Sequence, residues 1–232
     1  MLLSRRQFVE CGAASAALGV MSSPLVAQVA EPVLRMRPDR DLMPPPTPTY
    51  PARARVTVDP QVDPRILARA RAAFDRHRSS ITHVDTVGIV DFTKASGQPR
   101  FYLVDANTGR VTSHLVAHGR GSDPSHSGFV QRFSNQPRSE ASSNGAYVTT
   151  QYYPGHYGRS MRVRGLDYTN SNAEDRAIVI HSAWYAEPGV LATNDGRLGR
   201  SEGCFAFPYA SLQEVLARLG PGRFLYADRL YA

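Results

Sequence analysis

A mostly β domain, built as a sandwich or an open barrel with a few peripheral helices, is the fold class that this sequence predicts. Three observations point to it. Short runs rich in branched and aromatic residues follow one another between Gly, Pro, Asn and Asp residues. Apolar residues at helical spacing occur only near the two ends of that stretch, and no internal repeat is present. The first helix is expected at Asp63-Pro64, because Asp63 suits a cap and Pro64 the first turn, with Ile66, Leu67, Ala70 and Phe74 on one face. Strands are then expected at Thr86–Val90, Arg100–Val104, Val111–Ala117, Ala146–Gln151, Met161–Leu166 and Ala177–His181, with Asn107-Thr108-Gly109 closing the second and third into a hairpin. Ser211 and Glu214 have capping-box spacing ahead of Leu212, Val215, Leu216 and Leu219, and Gly220 ends that helix. Arg223–Ala227 completes the series as a last strand.

Ahead of this domain lie two segments of different character. In residues 1–30, Ser4-Arg5-Arg6-Gln7-Phe8-Val9 precedes a small apolar run from Cys11 to Val20 and an alanine-rich stretch ending near Ala27 or Ala30. Paired arginines before a hydrophobic residue read as a twin-arginine export signal, an address read by a receptor. The apolar run is too short for a permanent anchor, so no stable membrane insertion is expected after cleavage. Residues 31–62 read as an extended linker: nine of the 17 prolines fall between Pro32 and Pro64, Pro44-Pro45-Pro46 and Pro48 among them. The folded domain is then 63–232, in a chain whose length, with 42% hydrophobic and 20% charged residues, leaves room for one proper core. The net charge of +7 falls by one when Arg5, Arg6 and Glu10 leave together. A basic surface suits an anionic polymer; with no RNA- or DNA-binding motif present, nucleic acid is not the expected partner.

Loss of the signal leaves one of the two cysteines, Cys204. A single thiol makes no internal disulfide, and in an oxidising compartment it is open to oxidation. Either it is a buried, inert small hydrophobe or it has chemistry to perform. Its surroundings favour chemistry. Ala177-Ile178-Val179-Ile180 is an apolar run that ends at His181-Ser182, which carries an imidazole to a strand end. Ser201-Glu202-Gly203-Cys204 follows, flanked by Gly196, Gly199 and Pro208. A thiol needs a base to become a nucleophile at neutral pH, and a histidine in contact with it both takes the proton and stabilises the thiolate. Glycine before the cysteine lets backbone amides approach a reacting carbonyl. The imidazole needs a third group to fix its tautomer, and the Ser182 carbonyl or hydroxyl is the nearest.

His181-Ser182 followed by Gly199-Arg200-Ser201-Glu202-Gly203-Cys204 resembles the signature of the L,D-transpeptidase catalytic domain, in particular its murein L,D-transpeptidase branch. Ala117-His118-Gly119, Arg132-Phe133-Ser134-Asn135, Gly145-Ala146-Tyr147-Val148-Thr149, His156-Tyr157-Gly158 and Ser160-Met161-Arg162-Val163-Arg164-Gly165-Leu166 look like further blocks of it, so the likeness covers roughly residues 80–228. The resemblance implies a Cys204 nucleophile, His181 as base, the Ser182 carbonyl orienting the ring, and amides around Gly203 and Cys204 receiving the oxyanion. It further implies peptidoglycan stem peptides as substrate, a periplasmic or cell-envelope location and no cofactor. Three departures stand out: Glu202 occupies the position where the family commonly has a second histidine, the gap from His181 to Ser201 is longer than in the best-known members, and Phe205 follows the cysteine where this branch often has proline.

Substrate contacts are expected from His118, His156, Arg176, Arg200 and Ser201. Guanidinium suits a carboxylate bidentately, and Arg176 and Arg200 lie nearest the two catalytic segments. His118 and His156, each beside a flexible Gly segment, either line the pocket or serve as hydrogen-bonded scaffold. A zinc site built on His114 and His118 is not expected, because their segment reads as a strand and the spacing supplies no third ligand. Tyr147, Tyr153, Tyr157 and Trp184 form either a sugar or peptide platform or part of the core. A papain-like hydrolase is disfavoured, since here the histidine precedes the cysteine. A wall-binding domain without catalysis is the other class left open.

Overall fold

A computed structural model describes residues 62–231; the signal at 1–30 and all but the last residue of the 31–62 linker lie outside the described residues. The expected mostly β class is observed, as one eight-stranded mixed sheet with three α-helices. The strands are β1 (Thr86–Asp91), β2 (Phe101–Asp105), β3 (Val111–His114), β4 (Gly145–Gly155), β5 (Gly158–Gly165), β6 (Val179–Ser182), β7 (Phe205–Phe207) and β8 (Phe224–Asp228). Their order in the sheet is β3-β2-β1-β8-β4-β5-β6-β7. Two neighbouring pairs, β1/β8 and β6/β7, are parallel, and the others antiparallel.

The sheet curls until its two ends meet. Beyond β3 the chain returns at Ala117, whose N–H donates to the Ala206 carbonyl of β7 at 2.8 Å. The expected run Val111–Ala117 is therefore split, with its first part on one edge and its last residue bridging to the other.

Period-2 alternation sorts the core into two faces. Phe101, Leu103, Leu225 and Ala227 join Tyr147, Met161, Ile180, Phe205 and Phe207 inside the curl, closed by Leu212, Val215, Leu216 and Leu219 of α3 (Tyr209–Leu219). Their ring contacts are edge-to-face, 4.8 Å for Phe101–Phe207 and 5.5 Å for Tyr147–Phe205. The alternate residues Tyr102, Phe224 and Tyr226 pack outward with Ile89 against α1 (Pro64–Arg76), which contributes Ile66, Ala70 and Ala73. Each fully buried large apolar side chain in these layers contributes about 1.5–3 kcal/mol.

Helix α1 begins as its sequence implies: Asp63 Oδ1 accepts from Arg65 N at 2.8 Å and Pro64 takes the first turn. Leu67, expected on the packed face, is 39% exposed. Helix α3 differs at its start. Ser211 and Glu214 lie within the helix, and the Tyr209 amide is instead satisfied by Glu187 Oε1 at 2.7 Å, just ahead of α2 (Pro188–Thr193). Glu214 turns sideways to Arg218 and Thr112. Gly220 ends the helix with φ 34°, as expected. Strand β4 runs past the expected end through an irregularity between Thr149 and Tyr152, and so forms with β5 a long hairpin whose tip carries His156 and Tyr157.

Candidate active site

Strands β6 and β7 bring the two reactive segments side by side. Their register pairs Ile180 with Phe205 and His181 with Ala206, so Cys204 sits one step before the first registered pair, opposite Val179. The pleat puts Cys204 and His181 on the same face of adjacent strands. Ala177 was expected to open β6, but it adopts φ 53° and closes a turn, with its N–H on Glu174 O and the Ile178 N–H on Ala173 O. A left-handed alanine costs about 1–2 kcal/mol. In this conformation its carbonyl accepts from the Cys204 thiol at 3.5 Å.

The His181 Nδ1 lies 2.8 Å from the Ser182 carbonyl. A carbonyl only accepts, so Nδ1 bears the proton and Nε2 keeps its lone pair. Between the two candidates left open by the sequence, the carbonyl orients the ring; the Ser182 hydroxyl donates elsewhere, to the Tyr157 carbonyl at 3.0 Å. Tyr157 stacks on the imidazole at 5.9 Å, and His156 stands exposed beside it, edge-to-face at 4.6 Å. Burial holds the His181 pKa below its ordinary value, which favours the neutral base. Burial likewise pushes the Cys204 thiol up to about 11, with the Glu202 carboxylate adding to the rise, while a backbone bond at Val179 and the Arg176 guanidinium oppose it. Both shifts favour the uncharged forms, a thiol on one strand and a neutral imidazole on the neighbouring one.

The loop before Cys204 is held from below. Gly203 turns at φ 118°, and a Cβ there would stand 2.7 Å from Ile178 Cδ1 and 2.8 Å from the Ala141 carbonyl. The Gly203 N–H, expected to receive an oxyanion, donates to Ser201 Oγ at 3.2 Å. Ser201 is buried: its hydroxyl donates to the Cys204 carbonyl at 2.7 Å, and its N–H to His118 O at 2.9 Å. Ser201 therefore braces the loop, where a substrate contact was expected.

His118 is also internal. Its Nδ1 accepts from Arg100 at 2.7 Å and its Nε2 lies 3.4 Å from Asp123 Oδ2, with no surface reaching solvent. Burial first, then the Arg100 charge, push its pKa down to about 3. Of the two readings of His118, scaffold is the one observed. Arg200 donates to the carbonyls of Asp123 and Pro124. Arg176 donates from both terminal nitrogens to four neutral oxygens, Ser134 O, Ser143 Oγ, Ser139 Oγ and Ala141 O. Among the described residues neither arginine is paired with a carboxylate.

Tyr147 is core, its hydroxyl on Ser143 O at 2.8 Å, whereas Trp184 is 69% exposed. Tyr185 was missed by the sequence reading. It packs against Gly199, and its pKa is raised by burial and then by the nearby Cys204. Its closeness to His181 in sequence was the only signal. His114 faces Glu214 at 3.7 Å, and among the described residues no three His, Cys, Asp or Glu side chains converge as metal ligands would.

A family profile described as L,D-transpeptidase catalytic domain matches residues 58–227, beginning inside the segment expected to be linker. Solved structures similar to this chain include an L,D-transpeptidase from Mycobacterium smegmatis, 13% identical with a TM-score of 0.37, covering 62% of this chain and 58% of that one. One from Mycobacterium tuberculosis is 13% identical with a TM-score of 0.39, covering 62% and 57%. Another from Xylanimonas cellulosilytica is 14% identical with a TM-score of 0.37, covering 68% of each chain. The match thus spans less than two thirds of the first two chains. No curated protein sequence matches.

Proposed function

The chain belongs to the L,D-transpeptidase catalytic domain family, and from that membership we propose an exported cysteine acyltransferase that acts on peptidoglycan stem peptides. The observation that carries the proposal is the pairing of β6 with β7, which sets Cys204 and His181 on one face of adjacent strands, with Nδ1 tied to the Ser182 carbonyl.

In this reaction His181 Nε2 takes the thiol proton, and the sulfur attacks the carbonyl of the third residue of a tetrapeptide stem. The C–N bond to the terminal D-alanine breaks, its nitrogen takes the proton back from His181, and a thioester remains on Cys204. An amine of a second stem then attacks the thioester, forming the cross-link and restoring the thiol. Water in place of the amine would make the same site an L,D-carboxypeptidase. Burial raises the thiol pKa and lowers that of the imidazole, and both shifts favour a histidine that takes the proton as the sulfur attacks. The amides around Gly203 and Cys204 receive the oxyanion, with the Gly203 N–H first leaving Ser201 Oγ. Export by the twin-arginine signal puts the enzyme in the periplasm or cell envelope. Among the described residues no helix is long and apolar enough to cross a membrane.

The test is Cys204→Ala with defined tetrapeptide muropeptides. D-alanine release and cross-link formation are expected to disappear; either product persisting at the wild-type rate removes Cys204 from the chemistry. Mass spectrometry of the intact protein is expected to show a carbapenem adduct on Cys204, and an active enzyme that takes none would count against an accessible nucleophile.

A further inference from the structure

We infer that Arg176 is a fixed counter-charge for the Cys204 sulfur, and that a substrate carboxylate is held elsewhere. The inference rests on the Cys204 reading above. The four N–H groups of the two terminal guanidinium nitrogens are taken up by Ser134 O, Ser143 Oγ, Ser139 Oγ and Ala141 O. A bidentate grip on a carboxylate needs at least one of those groups, two of them end-on or one with Nε–H side-on, so Arg176 offers no such grip without breaking its frame. All four acceptors are neutral. The positive charge is therefore immobilised yet not cancelled, in a half-buried position where water screens it weakly.

Its location decides what that charge acts on. Nη2 lies 3.3 Å from where a Cβ on Gly203 would stand, so the guanidinium is packed against the residue that carries Cys204 into place. Arg176 also precedes Ala177, whose carbonyl accepts the resting thiol. One turn thus offers a neutral acceptor to S–H and a cation to the sulfur once the proton has passed to His181 Nε2. Burial holds the Arg176 pKa below the ordinary arginine range, with Tyr147 and then Cys204 opposing that fall, and Arg176 in turn favours the thiolate against the larger effect of burial.

The Val179 backbone also favours the thiolate, as a neutral partner, and the other groups around the sulfur supply no fixed positive charge. Glu202 opposes ionisation and is exposed, with Arg120 at 3.3 Å as its own cation. Tyr153 and Tyr185 are both driven towards their neutral forms by burial. His181 becomes a cation only by taking the proton itself. Arg176 is the one permanent cation among the groups found to act on Cys204.

The experiment is the pH profile of iodoacetamide alkylation in the full chain, read at Cys204 by peptide mass spectrometry because Cys11 also reacts, for wild type, Arg176→Gln and Arg176→Lys, each checked for folding by thermal denaturation. Loss of the charge is expected to slow alkylation about tenfold at a fixed pH below the thiol pKa, equivalent to one pKa unit. Lysine, which keeps the charge without the four bonds, is expected to restore most of the wild-type profile. A folded Arg176→Gln protein with a profile superposable on wild type overturns the inference. If the glutamine variant does not fold, lysine decides: a wild-type profile supports the inference, and a tenfold loss overturns it. The assay reads the thiol without turnover, so an unmoved profile leaves the Cys204 reading intact, whereas turnover surviving in Cys204→Ala sinks that reading whatever the profile does.

Discussion

Gly203 shows how much a single residue without a side chain controls here. Both its φ of 118° and the contacts at 2.7 and 2.8 Å that a Cβ would make oppose substitution, and one of those contacts is a backbone carbonyl that cannot swing aside. Gly203→Ala is expected to cost about 2 kcal/mol or more in chemical denaturation and to change the rate of Cys204 alkylation. A loss under about 0.5 kcal/mol would mean that the loop relaxes freely and that Gly203 does not fix the cysteine. At this scale the sequence was informative about type and silent about engagement. His181, Ser182 and Cys204 were singled out because a thiol, a base and an orienting carbonyl make chemical sense together, and the structure shows the carbonyl bonded to the ring. Arg176, Arg200, Ser201 and His118 were expected at the substrate because their side chains suit that task. Hydrogen bonds to distant carbonyls and hydroxyls, such as Arg176 to Ser134 across 42 positions, engage them otherwise.

Among the elements, the β4–β5 hairpin depends on β6 in a way that separates two functions of one residue. Ser182 holds His181 through its carbonyl and the hairpin tip through its hydroxyl. Ser182→Ala removes only the second bond, at a cost of about 1 kcal/mol. It is expected to raise amide exchange at residues 155–158 while leaving the alkylation profile of Cys204 in place. Unchanged exchange at the tip would show that stacking of Tyr157 on His181 suffices as the latch. Strand alternation made most of the sheet legible, and Pro64 and Gly220 marked helix limits through their own backbone preferences. The start of α3 was misread because its cap acceptor, Glu187, comes from another element. Strand β7 escaped notice because three residues are too few for a period to show.

For the molecule as a whole, the buried Arg100–His118–Asp123 chain makes acid a destabilising agent. His118 has a folded pKa of about 3 against an ordinary value of 6.5, so the unfolded chain binds its proton more readily. The stability it contributes is complete above pH 6.5 and is lost as pH falls towards 3, by up to about 1.4 kcal/mol per pH unit. His114 and His181, also held low by burial, act in the same direction. His118→Asn, whose side-chain oxygen can still accept from Arg100, is expected to flatten the dependence of urea midpoint on pH between 6.5 and 4.5. Parallel lines for variant and wild type would exclude His118 as a source of the slope. A β architecture was legible, but a choice between sandwich and open barrel was not. The order of strands turns on long-range partners such as β1 with β8, and local patterning does not encode who pairs with whom.

The closing contact between Ala117 and Ala206 also bears on how a peptide can arrive. A rim strand normally invites an extended ligand to lie alongside and zip onto its amides. In β7 the middle residue already has a neighbour on either side, β6 on one and Ala117 on the other. Pairing at that residue is closed, so under the function proposed above a peptide is expected to reach the sulfur without adding a strand beside Ala206.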